Sequence, residues 1–330
     1  MNFSRTSTIT KLLVTTTIPP VMSADRRLDV IASIVMAILG LTGVTVNLYF
    51  FITTITRRKY DTSYFKFCRT RAVANIVMAT VFILWASPVT FLGYLYLPEN
   101  YNGIAGQLAG WGAYIIGPFI QFCIAINRLF ASYFPAKFRT WHDKKLTYAV
   151  IAMSILIGAG YYTYGISVDG CTFHFNVTLL SWLPEDDVCA WDHAYFIFFS
   201  VAMLFVASSI LNMASFFKLM KFVRAHSGNQ LERSRNRKNW SLLIQNIIQD
   251  SFFLVDLIAV TFAIKWYDGI WYQWLMNTAL WQIHINADGI VMILSDRRLV
   301  KLSPSSSKAA SETRVTNRTA RDIQSTRITN

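Results

Sequence analysis

Asp250, Asp256 and Asp288 each lie inside a long apolar stretch, so their carboxylates need either a chemical task or a partner. On membrane-insertion scales such a group costs about 2.5–3.5 kcal/mol at the centre of a helix. An aspartyl protease pair made of Asp250 and Asp288 would require a glycine-framed aspartate of the expected kind in both segments, and the sequence does not supply it. His284 and Asp288, at i and i+4, are half of a metal site, but no second His or Cys stands at a matching depth. Glycine-rich phosphate loops, a Ser/His/Asp set and paired zinc motifs are also missing from the sequence. The reading is therefore of no catalytic residue, no metal ligand and no cofactor. Two uses of the acids remain: a hydrogen-bonded network inside a helix bundle, or an ion path through a small transporter or channel.

Helical spacing favours inward-facing stripes. At 100° per residue Gln245, Asn246, Gln249, Asp250 and Asp256 fall within an arc of about 140°. Asn277, Trp281, His284 and Asp288 fall within about 60° of one another. Asn47 sits at a depth similar to Asp288, and Asn75 slightly nearer the same end. Asn47, Asn75, Asp250, Asp256 and Asp288 are thus expected to form an intramembrane polar network, with Asn47, Asn75 and Asp288 as one cluster able to hold water or a cation.

The elements that must carry these residues follow from composition. In 330 residues, 54% are apolar, 15% aromatic and 15% charged, more oil than one soluble core hides, so the natural solvent is a lipid bilayer. Seven stretches are long enough to cross about 30 Å of hydrocarbon: 29–53, 72–96, 108–132, 146–166, 193–217, 241–264 and 271–294. The predicted fold is an all-α integral membrane protein, a seven-transmembrane helix bundle at 29–295 between a short tail at 1–28 and a basic, Ser/Thr-rich tail at 296–330. Residues 1–22 lack the apolar core of a cleaved signal peptide, so the first span is expected to direct insertion.

The net charge of +13 is distributed for a membrane rather than for nucleic acid. With the spans alternating, 26 of the 31 Lys and Arg fall on one side: six in 56–71, five in 128–145, seven in 218–240 and eight in 296–330. The positive-inside rule then puts the N-terminus outside and the C-terminus in the cytoplasm. Cys171 and Cys189 share an outer loop, where a disulfide is expected, the alternative being two free thiols. Asn2 and Asn176 head glycosylation triplets on the same side. Near the outer ends, Trp111, Tyr114, Gln121, Tyr195, Trp281 and Gln282 suggest an aromatic, sparsely polar cavity for a small ligand. The third span has no acid, which counts against amine recognition from that helix.

Several motifs converge on one family. Gly43-Val-Thr-Val-Asn47, Asn127-Arg128 followed by Phe134-Pro135, Asp169-Gly-Cys171, and Gln249-Asp250 resemble the nematode serpentine chemoreceptors, class x most closely, over roughly residues 30–300. The resemblance implies a G-protein-coupled chemosensory receptor of the plasma membrane, in sensory cilia, with a small-molecule ligand and a heterotrimeric G protein as partners. It assigns Asn127, Arg128, Phe134 and Pro135 to G-protein coupling. The sequence departs from the wider rhodopsin-like pattern. Asn127 replaces the acid before the arginine, span six lacks Cys-Trp-x-Pro, span seven lacks Pro-x-x-Tyr, and no cysteine caps span three, which favours the Cys171–Cys189 pairing. Arg128 is placed at the cytoplasmic interface, where it can reach water at little cost.

Overall fold

The computed structural model describes residues 26–57, 60–134, 144–168, 171–184, 188–225 and 230–295. Asn2, Pro135, Asp169-Gly170 and the 296–330 tail lie outside them. Seven helical rods are present among the described residues: α1 (Arg26–Thr56), α2 (Ser63–Leu92), α3 (Glu99–Tyr133), α4 (Lys144–Ser167), α5 (Val188–Ala225), α6 (Gln230–Thr261) and α7 (residues 270–295). The first six are long and apolar enough to span a bilayer. The seventh carries Asn277, Gln282, His284, Asn286 and Asp288, which lower its hydropathy, and the bundle buries all of them. Helix α3 is central, packed on α2, α4 and α5, while α1 closes the ring against α2 and α7.

The expected second span begins too late. Its helix starts at Ser63, capped by Thr62, whose hydroxyl accepts from the Phe65 amide at 3.5 Å. Basic residues in its first turns are tolerated because each has a partner. Lys66 pairs with Asp61 at 3.2 Å, and Arg69 donates to the Thr54 and Tyr60 carbonyls at 2.8 and 2.7 Å. That cation sits on the Thr54 carbonyl in the last turn of α1, where the helix dipole favours it. Arg71 is carried inside the bundle, 2% exposed, and is not a loop charge.

Helices α2, α3 and α7 each contain a π-helical stretch, at Phe82–Ala86, Gln107–Ala113 and Trp274–Ala279. The first two stand just before Pro88 and Pro118, each of which lacks an N–H and crowds the carbonyl four residues back. In α2 that carbonyl, on Leu84, accepts the Tyr96 hydroxyl. The widened turns surround a two-stranded antiparallel hairpin, β1 (Phe173–Asn176) and β2 (Ser181–Pro184), which pairs Phe175 with Trp182.

This hairpin plugs one end of the bundle. Phe175 and Trp182 are fully buried and pack with Phe82 and Trp281 in an aromatic core. Asn102 fixes β1 in both directions, donating to the Phe175 carbonyl and accepting its amide, each at 3.0 Å. Asn277 and Thr278 of α7 donate to the Trp182 and Leu180 carbonyls, both at 2.7 Å. Cys171 and Cys189 are joined as a disulfide, tying the hairpin to the start of α5. At Asn176 the side-chain oxygen accepts from the Thr178 and Leu179 amides at 2.9 and 3.0 Å, closing the turn.

A close approach makes the plug testable. A Cβ on Gly106 would overlap the Phe173 carbonyl, whereas one on Gly160 would meet nothing within 4 Å. Gly106→Ala should therefore cost about 1–3 kcal/mol by overpacking and lower the melting temperature of the purified protein, with Gly160→Ala close to wild type. Equal melting of the two variants would mean the hairpin does not seat on α3.

Candidate functional site

The polar centre of the bundle is organised around Arg71. Its Nε donates to Asp288 Oδ2 at 2.7 Å, and its Nη1 to Gln121 Oε1 at 2.5 Å. Asn75, one turn along α2, donates to the same Asp288 oxygen at 2.7 Å and to Asn47 Oδ1 at 3.1 Å. Gln249 of α6 donates to Asp288 Oδ1 at 2.6 Å. Asn47 itself is anchored by the Gly43 and Ile285 carbonyls at 2.9 and 3.3 Å. Helices α1, α2, α3, α6 and α7 thus meet in one hydrogen-bonded unit, and the cation at its centre is the chain's own guanidinium. Arg71 also revises the expected cation or water site, because it already occupies the face of Asp288 that such an ion would need.

Of the other two acids, Asp250 adjoins this network at Gln121 and Arg71, whereas Asp256 stands apart. Asp250 turns toward α5, accepting from Asn212 at 3.0 Å and Ser208 at 3.4 Å. It also faces Gln121 and Arg71, with which it lines a void of about 10 Å³, room for one water. Asp256 points toward the hairpin end, accepting from the Tyr114 hydroxyl at 3.1 Å with His284 Nδ1 3.5 Å away. The helical wheel groups these residues by face but not by depth, and the rise of six residues between Asp250 and Asp256, about 9 Å, gives the two acids different neighbours.

A relay of side chains leads from Asp288 to the opposite end. Gln249 accepts from Gln245 at 3.4 Å, and Gln245 accepts the Tyr64 hydroxyl at 2.6 Å. Arg128 lies over the Tyr64 ring, 5.2 Å from its centroid. All three of its guanidinium nitrogens are buried and make no hydrogen bond among the described residues. It is therefore held under an aromatic face and does not reach out to water. Asn127 is half-buried beside it; Phe134 is half-exposed where α3 ends, with Phe130 6.1 Å away.

Beneath the hairpin is a cavity of about 450 Å³. Of the residues expected there, Trp111, Tyr114, Tyr195 and Trp281 line it. Gln121 and Gln282 do not: Gln121 is taken by Arg71, and Gln282 donates to the Met36 carbonyl of α1 at 2.9 Å. The lining residues not anticipated include Phe173 and Trp182 of the hairpin and Asp256. Two Cys flanking an alternating aromatic stretch were the signal for the hairpin. Arg71 was also missed, although its i, i+4 spacing to Asn75 placed both on one face of α2.

The chain matches the family model described as serpentine type 7TM GPCR chemoreceptor Srx over residues 38–296. No curated protein sequence matches it. Among solved structures it is similar to squid rhodopsin, with a TM-score of 0.67 at 13% identity, covering 84% of each chain. At that identity the likeness concerns the fold.

Asp288→Asn would leave the Arg71 guanidinium buried without its carboxylate. The expected cost is about 3–5 kcal/mol, measured as a loss of thermal stability in detergent; a variant as stable as wild type would show that the ion pair does not hold the centre.

Proposed function

We propose that this chain, which belongs to the serpentine chemoreceptor family Srx, binds a small, mostly apolar molecule in the cavity beneath the hairpin and passes that event to a heterotrimeric G protein at the opposite end. The observation that carries the reading is the physical continuity between the two ends. Asp256 lines the cavity with His284 3.5 Å behind it, His284 stands one turn, about 6 Å, before Asp288 on α7, and Asp288 connects through Gln249, Gln245 and Tyr64 to Arg128. A ligand that favours one setting of α6 and α7 would shift the population of arrangements in which Tyr64 covers Arg128. Asn127, Arg128, Phe134 and Pro135 are then the coupling surface, with the N-terminus outside, the C-terminus in the cytoplasm and the protein in the plasma membrane of sensory cilia. Asn2 and Asn176 are the glycosylation sites in that orientation. An ion path through the aspartates is the less favoured reading, since Asp288 is already neutralised by Arg71.

The test is activation of G protein in a heterologous cell by volatile and water-soluble compounds, comparing wild type with Arg128→Ala at equal surface expression. The variant should lose about tenfold or more in potency, a change of roughly 1.4 kcal/mol in coupling. Equal signalling would remove Arg128 from its role.

A further inference from the structure

The cavity has a charge problem that its aromatic walls do not solve. Of the charged residues on its lining among the described residues, Lys265 and Asp268 are exposed, and Asp256 alone is buried, at 4% exposure. Two groups face that carboxylate among the described residues. Tyr114 from α3 gives it one neutral hydrogen bond at 3.1 Å. His284 from α7 places Nδ1 3.5 Å from the same oxygen, Oδ2, without forming a hydrogen bond, its ring held edge-on by Phe253 with centroids 4.8 Å apart. Among the described residues His284 is the only ion-pair partner of Asp256. The contrast with Asp288, which has a guanidinium and two amides on its oxygens, is direct.

A buried carboxylate without a firm cation is costly, and a ligand that brings one offsets that cost where the charge is already desolvated. Trp111, Phe173, Trp182, Trp281 and Tyr195 line the same space; aromatic faces attract an ammonium and stack on an aromatic body. A volume of about 450 Å³ lies in the range of small-ligand sites. An anion is disfavoured, because Lys265 is an exposed rim residue held at Tyr195, its Nζ 5.8 Å from the ring centroid.

We propose that the ligand of this cavity is a small aromatic molecule carrying a positively charged nitrogen, seated with that nitrogen against Asp256. This rests on the cavity being the ligand site of the receptor. It also replaces the expectation drawn from the third span: α3 brings Tyr114, and the acid comes from α6.

The experiment uses the purified full chain in lipid nanodiscs with phenylalkylamines of one to four methylenes, the matching phenylalkanols and the matching carboxylates. Binding is followed by tryptophan fluorescence and thermal shift. At least one amine should bind about tenfold tighter than its alcohol, and Asp256→Asn should bring amine and alcohol within about threefold of each other. Amines that bind no better than alcohols, no binding by any amine, or a preference that survives in Asp256→Asn would each overturn the proposal. The wild-type comparison decides even where the variant does not fold. Amine binding without G-protein activation would overturn the receptor reading alone; activation by alcohols with amines inert would overturn this proposal alone.

Discussion

The ion pair between Arg71 and Asp288 is the constraint on which the arrangement of the bundle depends. Both side chains are nearly inaccessible, at 3% and 1% exposure, and their 2.7 Å contact joins α2 to α7. Neither charge could be buried alone, so the pair fixes the register of the two helices, and the remaining valences recruit the others. Gln121 draws in α3, Gln249 draws in α6, and Asn75 with Asn47 draws in α1. Such a unit stabilises the bundle only when every member is satisfied. Close packing supports it at Gly289, where a Cβ would crowd Val46 and Asn47 at 2.8 and 2.9 Å and push α7 away from α1.

From this centre the two ends of the bundle differ in chemistry. Toward the hairpin the core is aromatic, and the π-helical turns of α2, α3 and α7 re-aim Phe82, Trp111 and Asn277 around the inserted strands. Toward the basic end, Tyr64, Phe65, Phe50 and Met292 form a separate apolar cluster, and Arg128 is folded under Tyr64. The missing acid before Arg128 is thus compensated by a ring, which holds a cation by its quadrupole and excludes water from it. Because Tyr64 also donates to Gln245, the cover over Arg128 is tied to α6.

The seven spans and the cluster of Asn47, Asn75 and Asp288 are legible in the sequence, since polar residues stand out against long apolar runs and must face inward. The Cys171–Cys189 disulfide is also legible from the placement of those two residues in one loop. Arg71 is harder to read because it follows Lys66 and Arg69, and a run of bases next to an apolar stretch looks like a loop. Only tertiary packing distinguishes the cation on a carbonyl cap, Arg69, from the one that enters the bundle. Helical periodicity gives a residue's face without its neighbours, which is why Gln121 and Gln282 read as cavity residues although Arg71 and Met36 occupy them. Strands of four residues leave too short a pattern to announce the hairpin by themselves, so only the flanking Cys171 and Cys189 point to it.

A double-mutant cycle on the central pair tests the account most directly. Arg71→Met and Asp288→Leu are compared singly and together by thermal unfolding of the purified protein in one detergent. Each single variant leaves one buried charge, whereas the double variant leaves none. The double variant should therefore be more stable than either single one. Losses that simply add would contradict the claim that Arg71 and Asp288 act as one unit.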